Sequence, residues 1–423
     1  MKATIVAAGL GVAACTVFGG ADRRTPAALL HATQQALRAG DVLAMESLLA
    51  RARQRFPVDA DVLLYDALLA DMRWHDDIVL ADLRAAAAAG HPQIPRAELE
   101  GRVGDKLFAL GSWAESAPLL RAGAAGGDES ARARRRAWAE LADVLPAVHR
   151  DPASVQAQVE FNPAQVPELL LGLGDRGGAF VLDTGATFTT LSESLAARLR
   201  VDAKVEAGEV RDGAGRPFAA CFARLPALMI GGLRLGPMPV LVVRDQTLSM
   251  RDLFGGPGRG VDGLLGLDVL TRFRIVIDPA ARAVTLSTAS GLTAGNAAPC
   301  LRVDGGLRVP VEVEGRSLWF QLDTGASRTS LTAAGLALVP GGEARAAAAF
   351  RTVHAPGGSR VAVRELRNVE MRAAGAPFTG VTLPVIDRPT GASGFPLHGV
   401  LGADLVLRCR AILDSGRLLL EVL

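Results

Sequence analysis

The chain carries the tetrapeptide Asp-Thr-Gly-Ala twice, at 183–186 and at 323–326, each copy closing an apolar, strand-like run. The flanks repeat as well. Ala179-Phe180-Val181-Leu182 leads into the first copy and Trp319-Phe320-Gln321-Leu322 into the second, and hydroxyl residues follow both (Thr187, Thr189, Thr190; Ser327, Thr329, Ser330). Downstream, Asp262-Gly263-Leu264-Leu265-Gly266-Leu267-Asp268 is answered by His398-Gly399-Val400-Leu401-Gly402-Ala403-Asp404, at nearly the same separation from its aspartate. One Asp-Thr-Gly says little, because these are common turn residues. Two copies with matching flanks and matching downstream motifs confine the chain to a duplicated unit that holds two carboxylates in equivalent settings.

On these motifs, residues 166 to 423 resemble the retropepsin-like aspartic proteases, in which each lobe supplies one Asp-Thr-Gly loop and one hydrophobic-hydrophobic-Gly segment packed beneath it. The run Phe273-Arg274-Ile275-Val276-Ile277-Asp278 is similar to bacterial members. The resemblance implies an all-β, two-lobed domain with both lobes on one chain, as in pepsins, but built from retroviral-type halves. Lobe 1 is expected at 166–290 and lobe 2 at 301–423, joined by a linker at 291–300 rich in Gly, Ala and Pro. It also implies Asp183 and Asp323 as the catalytic pair, supported by Thr184, Gly185, Ala186, Thr324, Gly325 and Ala326, with Gly266 and Gly402 packed under the pair. Thr184 and Thr324 are implied to hydrogen-bond across the lobe interface. Family members close the cleft with glycine-tipped hairpins. Gly213 and Gly215, and Gly357 and Gly358, are the candidate tips, although both segments also have ordinary hairpin-turn chemistry. The only tyrosine, Tyr65, lies outside both lobes, so a pepsin-type flap tyrosine is missing.

The chemistry explains why two aspartates are needed. Direct attack of water on a peptide requires one group to take the water proton and another to protonate the carbonyl oxygen. Two close carboxyls that share one proton do both, because repulsion keeps them from ionising together, and their roles exchange during turnover. Gly185 and Gly325 permit the sharp turn and the close approach of the carboxyls. Ala186 and Ala326 stand where pepsins usually carry a hydroxyl donor. Without that donor the ionised form is less stabilised, so activity is expected from mildly acidic towards neutral pH. Asp268 and Asp404 read as caps of short helices.

A chain of 423 residues exceeds what one hydrophobic core organises, so several domains are expected. With 46 basic and 44 acidic side chains, charge gives no reason to expect nucleic acid as a partner. From 22 to 150, apolar residues recur at helical spacing in Pro26–Arg38, Val42–Gln54, Val62–Met72, Ile78–Ala88, Ala97–Leu110, Trp113–Ala122 and Ser130–Val144, punctuated by Gly40, Pro57, Gly90, Pro92 and Gly111. This all-α region resembles helical-hairpin repeats of the tetratricopeptide kind, of period about 34. Such a stack offers a groove for a protein partner; a module that shields or positions the protease is the equal alternative. Residues 151–165, with Asp151-Pro152 and Asn162-Pro163, read as an irregular linker.

Residues 1–21 have the features of an export signal: Met1-Lys2, an apolar stretch from Ala3 to Val12, and Val12-Ala13-Ala14-Cys15, which resembles the site preceding a lipidated cysteine. Cleavage after Ala21 is the alternative. The stretch is short for a membrane span, which needs about 20 apolar residues. The expected location is the periplasm of a bacterium, or its membrane through a lipid anchor at Cys15. Of the remaining cysteines, Cys300 and Cys409 are the pair to test for a disulfide; three small buried hydrophobes is the other reading of Cys221, Cys300 and Cys409. The histidines are scattered, and neither metal nor cofactor is expected. The sum is an exported aspartic endopeptidase acting on peptides or proteins. The alternative is a catalytically silent, protease-like peptide-binding protein whose helical region recruits a partner.

Overall fold

The computed structural model describes residues 25–149, 154–163, 166–173, 176–201, 205–207, 210–211, 217–248, 260–289, 291–292, 297–347, 350–354, 360–386 and 391–423. Residues 1–21, read above as an export signal, lie outside them with Cys15.

Seven helices come first: α1 (Pro26–Ala39), α2 (Val42–Arg55), α3 (Ala60–Met72), α4 (Asp76–Ala89), α5 (Arg96–Ala109), α6 (Trp113–Gly123) and α7 (Glu129–Val144). Their starts follow from capping. The carboxylates of Asp41, Asp59 and Asp128 accept from the amides of Ala44, Val62 and Ala131, satisfying donors that have no partner in the first turn. Gly40, at φ 71°, closes α1 with a left-handed cap. Each helix packs on the next. Helix α3 is apolar around its circumference because it is covered on two sides: Val62, Tyr65 and Leu68 join a cluster with α1 and α2, while Leu63, Leu64 and Ala67 join one with α4 and α5.

The later helices are tied by a buried ion cluster. Arg135 of α7, with its side chain 2% exposed, donates to Asp105 (Nη2 to Oδ2, 2.9 Å), to the carbonyl of Gly123 (3.1 Å) and to Glu98. Burial alone would raise Glu98, but the hydrogen bond and charge of Arg135, with Arg102 beside it, hold the carboxyl below its ordinary range.

The β-rich part is organised around a 15-stranded sheet to which both lobes contribute. Six of its strands join the lobes, in the order Gln156–Asn162, Ala283–Ser287, Arg274–Asp278, Cys409–Asp414, Arg417–Val422, Ala298–Pro299, and the sheet continues from Gln156–Asn162 into Glu168–Leu173 of lobe 1. The seam between lobes is the antiparallel pairing of Ile275, Val276 and Ile277 with Leu413, Ile412 and Ala411. Two segments expected to be linkers therefore carry strands. In the first, Ala157 and Phe161 alternate with exposed polar residues, and this alternation prevails over the flanking prolines. In the second, Ala298–Pro299 forms an edge strand, a position where proline is tolerated. Ala220–Leu225 and Leu228–Ile230 are separate strands because Pro226 lies between them.

Within each lobe the strand leading to the aspartate lies beside the strand of the downstream Gly motif. Arg176–Leu182 runs parallel to Gly263–Leu265, and Arg316–Asp323 runs parallel to Gly399–Gly402. Strand alternation sends Phe180, Leu182, Phe320 and Leu322 into the main core, and turns Val181 and Gln321 to the opposite faces.

Cys221, Cys300 and Cys409 are free thiols, so the pairing singled out for testing, Cys300 with Cys409, is not made, and Cys300 and Cys409 are buried as the other reading has it. The amide of Cys300 donates to Gly416 at the turn of the last hairpin, while Cys409 pairs with Val422 at its open end. About six residues of extended strand, roughly 20 Å, separate them; bridged cysteines need Cα atoms within about 7 Å.

The helices rest on both lobes. Leu301, Val303 and Phe395 of lobe 2 join the α1–α3 core. Trp319 donates to the carbonyl of Gly40 (3.0 Å), Trp74 to that of Cys300 (2.7 Å), and Arg302 lies 4.3 Å above the Trp74 ring while bonding Asp76 at 2.5 Å. Helix α7 rests on lobe 1 through the strands Val205–Glu206 and Ala220–Leu225.

Replacing Arg135 leaves Glu98 buried without its main cation. Arg135→Ala is therefore expected to lower the unfolding free energy by about 3 kcal/mol in urea titration. Arg121→Ala, which breaks a pair with Asp143 that is half-exposed on both sides, is expected to cost less than about 1 kcal/mol.

Candidate active site

Asp183 follows the strand Arg176–Leu182 and Asp323 ends the strand Arg316–Asp323, so both leave the centre of their lobe at equivalent points. The amide of Asp183 bonds Leu265 of the neighbouring strand (3.0 Å). Both aspartates are buried, 1% and 2% exposed. The amide of Gly185 donates to Asp183 Oδ1 (2.9 Å), and the amide of Ala326 donates to Asp323 Oδ1 (2.8 Å). A Cβ placed on Gly185 would stand 2.5 Å from Asp323 Cγ, and one on Gly325 would overlap the Asp183 carboxyl. Each carboxyl thus lies over the glycine of the other loop. Both aspartates face one site, and a side chain at either glycine would separate them.

Two threonines fix this approach. Thr184 Oγ1 donates to the carbonyl of Leu322 (3.0 Å) and accepts from the amide of Thr324 (3.0 Å). Thr324 Oγ1 donates to the carbonyl of Leu182 (2.6 Å) and accepts from the amide of Thr184 (3.1 Å). Each hydroxyl therefore serves as donor and acceptor to the opposite lobe, in a place where an unmade bond would cost the full desolvation of a buried group.

Gly266 and Gly402 lie under the loops. A Cβ on Gly266 would meet the Phe188 carbonyl carbon at 2.5 Å, and one on Gly402 would meet that of Arg328 at 2.5 Å. Their amides donate to Thr189 Oγ1 (3.2 Å) and Thr329 Oγ1 (3.0 Å). Ala186 and Ala326 are clamped by the same segments: Leu267 donates to the carbonyl of Ala186 (2.8 Å) and Ala403 to that of Ala326 (2.7 Å).

Asp268 and Asp404 differ from the expectation of helix caps. The caps of the short helices Leu267–Leu270 and Ala403–Val406 are Gly266 and Gly402, with no side-chain bond. Asp268 Oδ1 instead accepts from the amide and hydroxyl of Thr189 (both 2.8 Å), and Asp404 Oδ1 accepts from those of Thr329 (both 2.7 Å). These pairs brace the loop after each Asp-Thr-Gly-Ala, a role the sequence reading missed. The signal was available, since Thr189 and Thr329, like Asp268 and Asp404, occupy matching positions in the two halves. Asp268 keeps some exposed surface, yet its carboxyl is buried and Oδ2 has no hydrogen-bond partner. Burial pushes this carboxyl up to about 6 despite the bonds from Thr189, and burial likewise raises Asp404.

The candidate flap glycines Gly213, Gly215, Gly357 and Gly358 lie outside the described residues. The strands on either side of them do pair as hairpins, Val210–Arg211 with Pro217–Phe218 and Phe350–His354 with 360–364. Among the described residues, no group of three or more His, Cys, Asp and Glu side chains is placed to hold a metal ion.

Residues 169–269 and 309–405 each match the family described as aspartyl protease, one match per lobe. A solved structure of a retropepsin-like aspartic protease from Rickettsia conorii is similar at 18% identity, over 33% of this chain and 94% of that one, with a TM-score of 0.23. No curated protein matches the chain. The assignment of the two lobes rests on the tandem family matches.

Thr324→Val keeps the shape of the side chain, removes the bond to Leu182 and strands the amide of Thr184. It is expected to cost about 1–3 kcal/mol in thermal or urea unfolding. For Asp268 the sign follows from linkage. Its folded pKa lies above the ordinary value, so the folded state binds the proton more tightly, and the contribution is greatest at low pH and lost as pH rises through about 6. Asp268→Asn, which cannot ionise, should gain about 2 kcal/mol relative to the parent between about pH 4 and pH 7, as read from urea titrations at both ends.

Proposed function

We propose that this chain, whose β-rich half is a two-lobed retropepsin-like aspartic protease domain, is an endopeptidase that hydrolyses peptide bonds with water activated between Asp183 and Asp323. The observation that carries this reading is the reciprocal placement of each carboxyl over the other loop's glycine, which brings both aspartates of one chain into one buried site. In such a site one carboxylate takes a proton from water as the oxygen attacks the peptide carbonyl, and the protonated partner gives its proton to the carbonyl oxygen. The same two groups then return a proton to the leaving nitrogen as the C–N bond breaks. The threonine bonds hold the two carboxyls at the separation that sharing a proton requires.

The substrate class is an extended peptide or protein segment. The chain acts outside the cytoplasm of a bacterium, in the periplasm or anchored through a lipid at Cys15, on the strength of the signal-like residues 1–21. The helical array, seated on both lobes, accompanies the protease there.

Cleavage of a mixed peptide library, followed by mass spectrometry between about pH 4 and pH 7, tests the reading; an optimum below about pH 3 would contradict the role given to Ala186 and Ala326. Asp183→Asn and Asp323→Asn are each expected to lower kcat/KM by at least about 10²–10⁴-fold, because the pair acts as a unit. Specific activity should not change on dilution, since one chain supplies both carboxyls. N-terminal sequencing of envelope-derived protein should start at Asp22 or at an acylated Cys15; an intact Met1 recovered from cytosol speaks against export.

A further inference from the structure

The two Asp-Thr-Gly-Ala loops have the same sequence and exchange the same threonine bonds, yet they differ in exposure. Ala186 is fully buried, whereas Ala326 is partly open; Phe188 is buried at 8%, whereas its counterpart Arg328 is exposed. The source of the difference is α7.

Strand alternation puts Val181 and Asp183 on one face of their strand, away from the lobe core that takes Phe180 and Leu182. Leu264, paired with Val181, lies on that face too, as do Leu241 and Val243, and Ala220 and Phe222, of the neighbouring strands. This is a continuous apolar wall running out from the catalytic aspartate. In a lone lobe it would face the cleft. Here it is covered by Trp138, Leu141 and Ala142 of α7 and by Leu145 just after it. The Trp138 ring meets Phe188 edge-on at 5.9 Å and Phe222 at 6.3 Å, and is backed by Phe108 stacked at 4.7 Å. Such edge-to-face sets are how apolar pockets grip large aromatic side chains. The equivalent wall of lobe 2 is partly polar: Gln321 replaces Val181, with Arg308 on one side of it and the apolar Val400 on the other. On this face of the Asp323 strand the helical domain is met by Trp319, about 13 Å up the strand from the aspartate.

We propose that α7 is an internal occupant of the substrate cleft: Trp138 fills the lobe-1 site that otherwise takes a large apolar side chain of the substrate, and peptides bind by displacing it. The proposal rests on the reading of Asp183 and Asp323 as the catalytic pair, and it assigns that site its substrate class, peptides with Phe- or Leu-sized residues beside the scissile bond on the lobe-1 side. It also gives the helical array a function, that of a plug held in place from lobe 2.

Affinity separates this from catalysis. In the full chain carrying Asp183→Asn, fluorescence anisotropy is measured with two labelled nonapeptides, one with Phe-Leu at its centre and one with Asp-Asp. Adding Trp138→Ala is expected to tighten binding of the Phe-Leu peptide at least tenfold and to leave the Asp-Asp peptide within about twofold; equal affinity for the Phe-Leu peptide in both backgrounds overturns the proposal. Because Trp138→Ala also loosens packing on Phe108, hydrogen exchange of 129–144 is followed in the unaltered chain. Saturating Phe-Leu peptide should speed exchange in α7, and unchanged protection overturns the proposal. Turnover of the same peptides by chains with Asp183 intact tests the other reading. Tighter binding without cleavage leaves the plug standing and removes the endopeptidase; cleavage with α7 still protected does the reverse.

Discussion

The site depends on the bonds that Thr184 and Thr324 exchange across the lobe boundary. Two like-charged groups do not stay together unaided, and the aspartates are close because neutral hydroxyls hold their loops in register. Threonine suits the task because one small group supplies a donor and an acceptor at once. The glycines that follow leave room for the opposite carboxyl, so attraction and clearance are encoded in consecutive residues of the same tetrapeptide. Thr189 with Asp268, and Thr329 with Asp404, then brace the loops from below. A small apolar cavity beside the threonines is lined by both lobes, Leu182 and Ile275 from one and Leu322 and Leu413 from the other among them.

Duplication explains the symmetry of this centre, and divergence explains what surrounds it. The Asp-Thr-Gly-Ala residues that meet the opposite lobe at the site are the same in both copies. Those that face outward are not: Val181 against Gln321 and Phe188 against Arg328 give one half an apolar wall and the other a partly polar one. Helix α7, rich in buried aromatic and aliphatic groups, rests on the first. Its placement is thus a consequence of substitutions around the Asp-Thr-Gly-Ala loops that leave the tetrapeptides themselves unchanged.

Much of this was legible in the sequence because the controlling signals are local. Helical periodicity located all seven helices, and the repeated motifs located both loops. What escaped were features set by distant partners. The segment around Phe161 was read as a linker because Pro152 and Pro163 are strong local punctuation, while its strand is stabilised by Ala283–Ser287, far along the chain. Cys300 and Cys409 looked like a pair because they share a lobe, but the last hairpin holds them at opposite ends. Asp268 reads as a cap because it lies just after Gly266 at a helix start, whereas its partner, Thr189, comes from 79 residues earlier in the chain. Trp138 stood out only as one apolar position on a helix, since nothing nearby in sequence tells which surface it meets.

The seam between the lobes is made by 274–278 and 409–414, the closing strands of each half. In the order of synthesis the first carboxylate is made well before its partner, and the seam that aligns them needs the strand 409–414, which follows both. Pairing between strands so far apart in sequence is slow to form. A nascent chain that has not reached this strand carries its aspartates on lobes that are not yet joined, and adding it is the step that brings the two together.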